Sequence, residues 1–354
     1  MRTIIAATGS YVPPIRVPNS DFLNHDFRDP KGEKLAKTNE EIVAQFEAIT
    51  GIKERRYAPK DLLASDIAYE AAADALASSG IDKESLDGII VAHNFGDVRG
   101  DSRHSDLVPA LAARVKARLK IETPRTVAYD LIFGCPGWLQ GVIAADAQIR
   151  LGDAKRVMII GVETLSRVSD PHDRDSMIYA DGAGATIFEA RDAADAGILA
   201  SVARSDTLDH SAMLKMGASY NDEIFIEGFF LKMEGRKLYK YALQNVAASM
   251  KQCLEKANIP IDRVDKILLH QANGKMDEAI LEELYALYGT EPPEGVMPMT
   301  ISFLGNSSVA TLPTMLDMIL KGKLDDHAIR SGDVVLFASV GAGMHINAFV
   351  YRVP

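Results

Sequence analysis

One thiol, one imidazole and one carboxamide in this chain are placed where each could meet a carbonyl carbon. Cys135 sits in residues 130–150, DLIFGCPGWLQGVIAADAQIR, between a strand-like apolar run and a helix apolar on most of its circumference. Pro136 suits a first helical position, because its missing N–H and fixed φ cost nothing there. A helix N-terminus lowers a thiol's pKa from its ordinary value of about 8.5, at which only a few per cent is thiolate at neutral pH. Gly134 and Gly137 leave room for a substrate beside the sulfur. An isolated Cys is usually a small buried hydrophobe. Here the turn, the proline and the glycines together point to a nucleophile.

His270 follows the apolar run 266–269, so its ring emerges at a strand end. Asn306 lies in FLGNSS, ahead of the helix-like VATLPTMLDMILK. Either could be structural: a lone strand-end His is often a satisfied core residue, and an Asn before a helix is an ordinary N-cap. With Cys135, the pair can perform covalent acyl transfer. The thiolate takes the acyl group, while a neutral imidazole N–H and a carboxamide N–H stabilise a thioester enolate. The Cys135 backbone N–H and a glycine N–H near Gly343 would hold the other oxyanion. The eight histidines are scattered without metal-ligand spacing, so no metal site is expected.

Strand-like and helical runs alternate along the chain, which indicates an α/β architecture with largely parallel sheets. Strands are expected at 2–7, 88–92, 126–131 and 157–161, and helices at 40–49, 65–79 (closed by Gly80) and 239–256. The last carries Cys253 into the core. The polar segment 24–38 reads as a loop or lid. The glycine-rich YADGAGA at 179–185 precedes a strand and not a helix, so it reads as close backbone packing and not as a phosphate loop. The best linker is 191–195, which divides the chain into halves of 1–190 and 196–354.

The chain also repeats itself. GIDKESLDGIIVAHN from Gly80 aligns on NIPIDRVDKILLHQA from Asn258, TVAYDLIFGC on MPMTISFLGN, and GDAKRVMIIG on GDVVLFASVG. Cys135 thereby pairs with Asn306, and Gly161 with Gly341. Three matches in one order at nearly constant offset imply two similar βα halves. Cys135, His270, Asn306 and Gly341 all fall at strand ends, where ligands bind in such sheets, so a site shared between the halves is expected.

The totals bound the function. The chain has 354 residues, 47% of them hydrophobic and 25% charged, enough for a full core. A net charge of -10 argues against nucleic acid and anionic membranes as main partners, although an acidic carrier could dock on a local basic patch. Two cysteines form no disulfide framework and suit a reducing compartment. No signal-peptide h-region opens the chain and no apolar run reaches membrane-spanning length, so a soluble cytoplasmic protein is expected.

The motifs TGSYVP, TGIKERR, GCPGW, DPHDRD, YADGAGA, HQANGKM, GNSS and GAG run nearly end to end. As a set they resemble the β-ketoacyl-acyl-carrier-protein synthase III group of the thiolase superfamily. The resemblance implies a thiolase-like duplicated five-layer αβαβα fold with two mixed, largely parallel sheets, and a homodimer. It implies Cys135 as the acylated nucleophile, His270 and Asn306 as the pair promoting decarboxylation of a malonyl thioester, and Gly343 as the oxyanion glycine. It places Arg174 near a nucleotide and Lys275 as a carrier-docking cation. Substrates would be acyl-CoA or acyl-carrier-protein thioesters, with no permanently bound cofactor.

Departures from the group also carry meaning. Gln45 and Ile49 stand where the acetyl-CoA-using branch has an adenine-stacking Trp and Arg, and Glu282 and Glu283 replace its lysines. These changes point to a long-acyl or secondary-metabolite condensing enzyme whose donor arrives on a carrier. Two alternatives remain open at this level. One is an acyltransferase passing the group from Cys135 to an alcohol or amine. The other is a non-catalytic partner subunit, against which the presence of Cys135 counts.

Overall fold

The alternation of apolar residues along each strand decides how the layers stack. In the computed structural model, which describes residues 1–100, 103–223 and 228–354, the first sheet comprises β1 (Arg2–Tyr11), β2 (Gly88–His93), β3 (Val127–Ile132), β4 (Arg156–Thr164) and β5 (Asp181–Arg191). Ile89 and Val91 of β2, with Met158 and Ile160 of β4, face outward onto helices α2 (Ala64–Ser79) and α3 (Leu111–Arg118). Ile90, Ala92, Val157 and Ile159 face the opposite way, into the centre of the molecule. The second sheet comprises β6 (Gly197–Ser205), β7 (Lys266–Leu269), β8 (Val334–Gly341) and β9 (His345–Arg352). It repeats the rule: Ile267, Leu336 and Ala348 face outward, while Leu268, Val335, Phe337 and Phe349 face inward. Helices α5 (Gly235–Ala257) and α6 (Gly274–Ala286) cover its outer face. Period-two burial on both faces of a sheet is what a layered α/β core requires.

Between the sheets lie α4 (Gly137–Leu151) and α7 (Thr311–Leu320), completing five layers in αβαβα order. Trp138 of α4 is fully buried, its ring 6.4 Å from Phe188 of the first sheet and 6.0 and 6.1 Å from Phe337 and Phe349 of the second. Water reaches this helix at Ala147 and at its end, Arg150 and Leu151, and two of its polar residues are engaged inside. Asn347 donates to Gln140 Oε1 at 2.9 Å, and Thr3 donates to Asp146 at 2.6 Å.

The strand orders are β1-β5-β4-β2-β3 and β6-β9-β8-β7, so the halves superpose strand for strand except at one edge. Parallel pairing is less extensive than expected. It joins β4 to β2, β2 to β3 and β7 to β8, while the pairs made by β1, β5, β6 and β9 are antiparallel. Connectivity accounts for one of these pairs: β9 follows β8 through residues 342–344, a turn that only an antiparallel neighbour can use, whereas residues 165–180 join β4 to β5. A second departure concerns MPMTISFLGN. In place of a strand matching β3, the chain beside β7 pairs through Val296 O, which accepts from Ile267 N–H at 2.9 Å, and Ile301–Leu304 then coils into a helical turn. Prolines at 293 and 298 lack the N–H that a continuous ladder needs.

The five strands of the first sheet end by Arg191 and the four of the second begin at Gly197, yet both sheets enclose one central core. The segment 24–38 is a loop fastened at several points. Asp29 accepts from the Lys31 and Glu33 N–H groups, Arg28 N–H donates to His172 O at 2.7 Å, and the Arg28 guanidinium pairs with Glu223 at 2.8 Å. A capping box at Thr38 and Glu41 then starts α1 (Asn39–Thr50).

Candidate active site

Cys135 ends the turn between β3 and α4, and Gly134 makes that turn with φ +72°. The first N–H groups of α4 lie just beyond the sulfur. His270 ends β7, its backbone N–H donating to Ala338 O at 2.9 Å. The next residues explain how this stretch folds. Gln271 is fully buried and binds the 298–301 segment from both ends of its amide, accepting from Thr300 and Ile301 N–H and donating to Pro298 O. Asn273 caps α6 through the Met276 N–H. The imidazole of His270 is thus left facing inward, with Nδ1 buried and unpartnered among the described residues.

Asn306 is held across the boundary between the halves. Its N–H donates to Ile178 O at 3.0 Å and its carbonyl accepts from Ala180 N–H at 2.8 Å, which forms a parallel bridge with Tyr179. Its side-chain oxygen accepts from Ser308 N–H at 2.7 Å, so the amide nitrogen remains free to donate. Asn306 is not the N-cap of the following 3-10 turn, a position that Ser307 takes; its side-chain oxygen steadies the approach to that turn.

Cys135, His270 and Asn306 line one cavity. Its remaining wall is mostly apolar, from Phe95, Leu165, Leu214, Leu231, Met233 and Leu238. Burial pushes the His270 imidazole down to about 4, so the ring is neutral at physiological pH and acts as an N–H donor. For Cys135 the structure corrects the expected direction. Burial pushes the half-buried thiol up to about 11, with the Ser308 hydroxyl opposing the rise and Glu163 adding to it. Removal from water outweighs the helix end.

Gly343, the glycine expected to serve the oxyanion, directly follows a residue of the cavity wall. Ala342 lines the cavity, whereas the α carbon of Gly343 faces the His345 ring, where a β carbon would lie 2.4 Å from Nε2. Arg174 and Lys275 are exposed and do not line the cavity. Three residues that the sequence did not single out do belong to the site. Ser308 donates to the Cys135 sulfur at 3.2 Å, and Asn94 and Glu163 stand behind it. Only the second Ser of GNSS hinted at any of them. Cys253 is buried beneath α5 as expected, away from this cavity. Among the described residues no cluster of His, Cys, Asp and Glu could hold a metal ion, and no helix is long and apolar enough to cross a membrane.

A duplicated five-layer fold with a cysteine at the head of one central helix, facing a His and an Asn from the other half, defines a thiolase-like acyl-transfer enzyme. Residues 129–207 match the 3-oxoacyl-(acyl-carrier-protein) synthase III family, and residues 254–353 match its C-terminal domain. The beta-ketoacyl-acyl-carrier-protein synthase III 1 of Halalkalibacterium halodurans is 33% identical over 354 residues, covering 99% of this chain and 98% of the relative. The synthase III of Paracoccus denitrificans is 31% identical over 365 residues, covering 99% of each. The crystal structure of 3-oxoacyl-acyl-carrier-protein synthase III from Aquifex aeolicus superposes with a TM-score of 0.81 at 28% identity, covering 99% of both chains. The chain belongs to the 3-oxoacyl-(acyl-carrier-protein) synthase III family and is a condensing acyltransferase.

Proposed function

We propose that this protein joins an acyl group held on Cys135 to the carbon released when a malonyl thioester loses carbon dioxide, giving a 3-oxoacyl thioester. The observation that supports it is the meeting of Cys135, His270 and Asn306 in one cavity whose remaining wall is mostly apolar. In the first half-reaction the Cys135 thiolate attacks the donor thioester carbonyl. The oxyanion lies against the backbone N–H groups of Cys135 and Gly343, and the donor thiolate departs. In the second, the bond between the malonyl methylene and its carboxylate breaks. Carbon dioxide leaves and the electron pair forms a thioester enolate, whose oxygen takes hydrogen bonds from His270 and from Asn306 Nδ2. The enolate carbon attacks the acyl-Cys135 carbonyl and the Cys135 thiolate leaves.

Donor and extender would arrive as coenzyme A or carrier-protein thioesters, with Arg174 toward the nucleotide and Lys275 toward an acidic carrier. Both are exposed, Lys275 on the helix that begins four residues after His270. We read the protein as a homodimer. The edge strand β3 leaves Val127 and Ile132 about three-fifths exposed, which a second copy of the same edge would cover. Incubating the protein with acyl and malonyl thioesters, while following carbon dioxide and the mass of the Cys135 adduct, tests the reaction. Acyl exchange without decarboxylation would defeat it in favour of simple acyl transfer. A monomer by light scattering would defeat the dimer.

A further inference from the structure

Burial alone leaves the Cys135 thiol reluctant to ionise, so its polar neighbours bear on the reaction. Among the described residues, Ser308 is the one side chain hydrogen-bonded to the sulfur, at 3.2 Å. Ser308 holds a φ of +52°, in the left-handed region that a non-glycine residue rarely occupies. That conformation lets one residue work in two directions: its backbone N–H donates to Asn306 Oδ1 at 2.7 Å, while its hydroxyl reaches Cys135.

The direction of the hydroxyl proton follows from the next neighbour. Asn94 Nδ2 lies 3.3 Å from Ser308 Oγ and also donates to Glu163 Oε1, which in turn accepts from the Asn94 backbone N–H at 2.8 Å. An amide nitrogen can only donate, so the Ser308 oxygen is the acceptor there. Its single proton is left for the sulfur. Glu163 is 2% exposed and fixes Asn94 through both contacts.

We propose that Ser308 orients both reacting groups, holding the Cys135 sulfur through its hydroxyl and the Asn306 amide through its backbone N–H, with Asn94 and Glu163 as positioning residues that aim the hydroxyl. The proposal rests on Cys135 being the nucleophile. The titratable groups facing the sulfur are Glu163 from β4, His270 after β7 and Tyr179 ahead of β5. The latter two stay neutral near pH 7. Glu163, raised by burial to about 8, is also mostly protonated near pH 7 and opposes the thiolate once it ionises at higher pH.

The test is the pH dependence of Cys135 alkylation by iodoacetamide, read by mass on the Cys135 peptide. Ser308→Gly removes the hydroxyl, tolerates the positive φ and keeps the N–H to Asn306. Ser308→Ala is its companion. In Ser308→Gly the alkylation midpoint should rise by about one pH unit, the size expected on losing a hydrogen bond to a charged sulfur. Asn94→Ala should move it the same way by less. Ser308→Gly should also slow acylation by a thioester roughly tenfold more than it slows malonyl decarboxylation, because the Asn306 contact survives. A folded Ser308→Gly with the wild-type midpoint, or equal loss of both steps, overturns the proposal. An unmoved midpoint in Asn94→Ala overturns the part given to Asn94. If the wild type never acylates but its midpoint still rises in Ser308→Gly, the functional reading fails and the hydrogen-bond assignment stands.

Discussion

Gly161 within β4 and Gly341 at the end of β8 each press against the other half of the molecule. A β carbon on Gly161 would lie 2.3 Å from Val309 O, and one on Gly341 would lie 2.7 Å from Cys135 N and 2.8 Å from Cys135 Cβ. The strand of one half thus seats the head of the other half's central helix. The site forms where these two contacts meet.

Replacing Gly341 by Ala should therefore act on the nucleophile directly. The methyl has backbone and not a flexible side chain in its way, so overpacking of this kind costs about 1–3 kcal/mol. The melting temperature should fall, and the fraction that remains folded should acylate poorly. Thermal melts paired with intact-mass labelling by an acyl-CoA check both parts. A variant that acylates like wild type would show that Cys135 tolerates displacement.

Removing the sulfur separates the two half-reactions. Cys135→Ala should take up no acyl group at all. Cys135→Gln places a neutral amide beside the oxyanion donors and should still release carbon dioxide from a malonyl thioester, because the His270 and Asn306 donors are untouched. Headspace carbon dioxide and adduct mass, measured on each variant, decide this.

The converse holds for the enolate donors. His270→Ala and Asn306→Ala should each acylate Cys135 yet condense about a hundred- to a thousandfold more slowly, the usual penalty for losing one donor to a developing oxyanion. Product formation at the wild-type rate in either variant would remove that residue from the assignment.

The buried imidazole also leaves a mark on stability. His270 titrates near 4 when folded and near its ordinary value of about 6.5 when unfolded. Between those values the unfolded chain binds the proton and the folded chain does not. Stability from this group is therefore complete above about pH 6.5 and falls as the pH drops toward 4. Urea unfolding at pH 7 and pH 5 should show the wild type losing about 2 kcal/mol more than His270→Gln. Equal losses in the two proteins would mean that His270 is hydrated in the folded state.

Much of this architecture is legible because duplication leaves a trace in sequence. The alignment of Gly80 with Asn258 pairs two helix ends that both adopt left-handed φ, +67° and +54°. The alignment of GDAKRVMIIG with GDVVLFASVG pairs β4 with β8. Its register is two residues out, since Gly88 pairs with Val157 as Lys266 does with Val335, and the repeat is lost near MPMTISFLGN, where prolines break the ladder and the chain coils before reaching Asn306. The Cys135, His270 and Asn306 set was visible for the same reason: strand ends in the two halves are equivalent, and chemistry-bearing residues there stand out.

Residue types and spacing determined the layered α/β fold, the two-fold repeat and the three side chains that can carry out acyl transfer, since periodicity and strand-end position are local properties. The state of those side chains was decided by the tertiary structure. The thiol's direction of shift depends on how much water the cavity walls remove, and those walls come from elements far apart in the chain. The hydrogen bonds from Glu163 through Asn94 and Ser308 to the sulfur depend on distances between strands that only packing sets. Sequence names which groups are present; burial and hydrogen bonding fix which way each one points and whether it carries a charge.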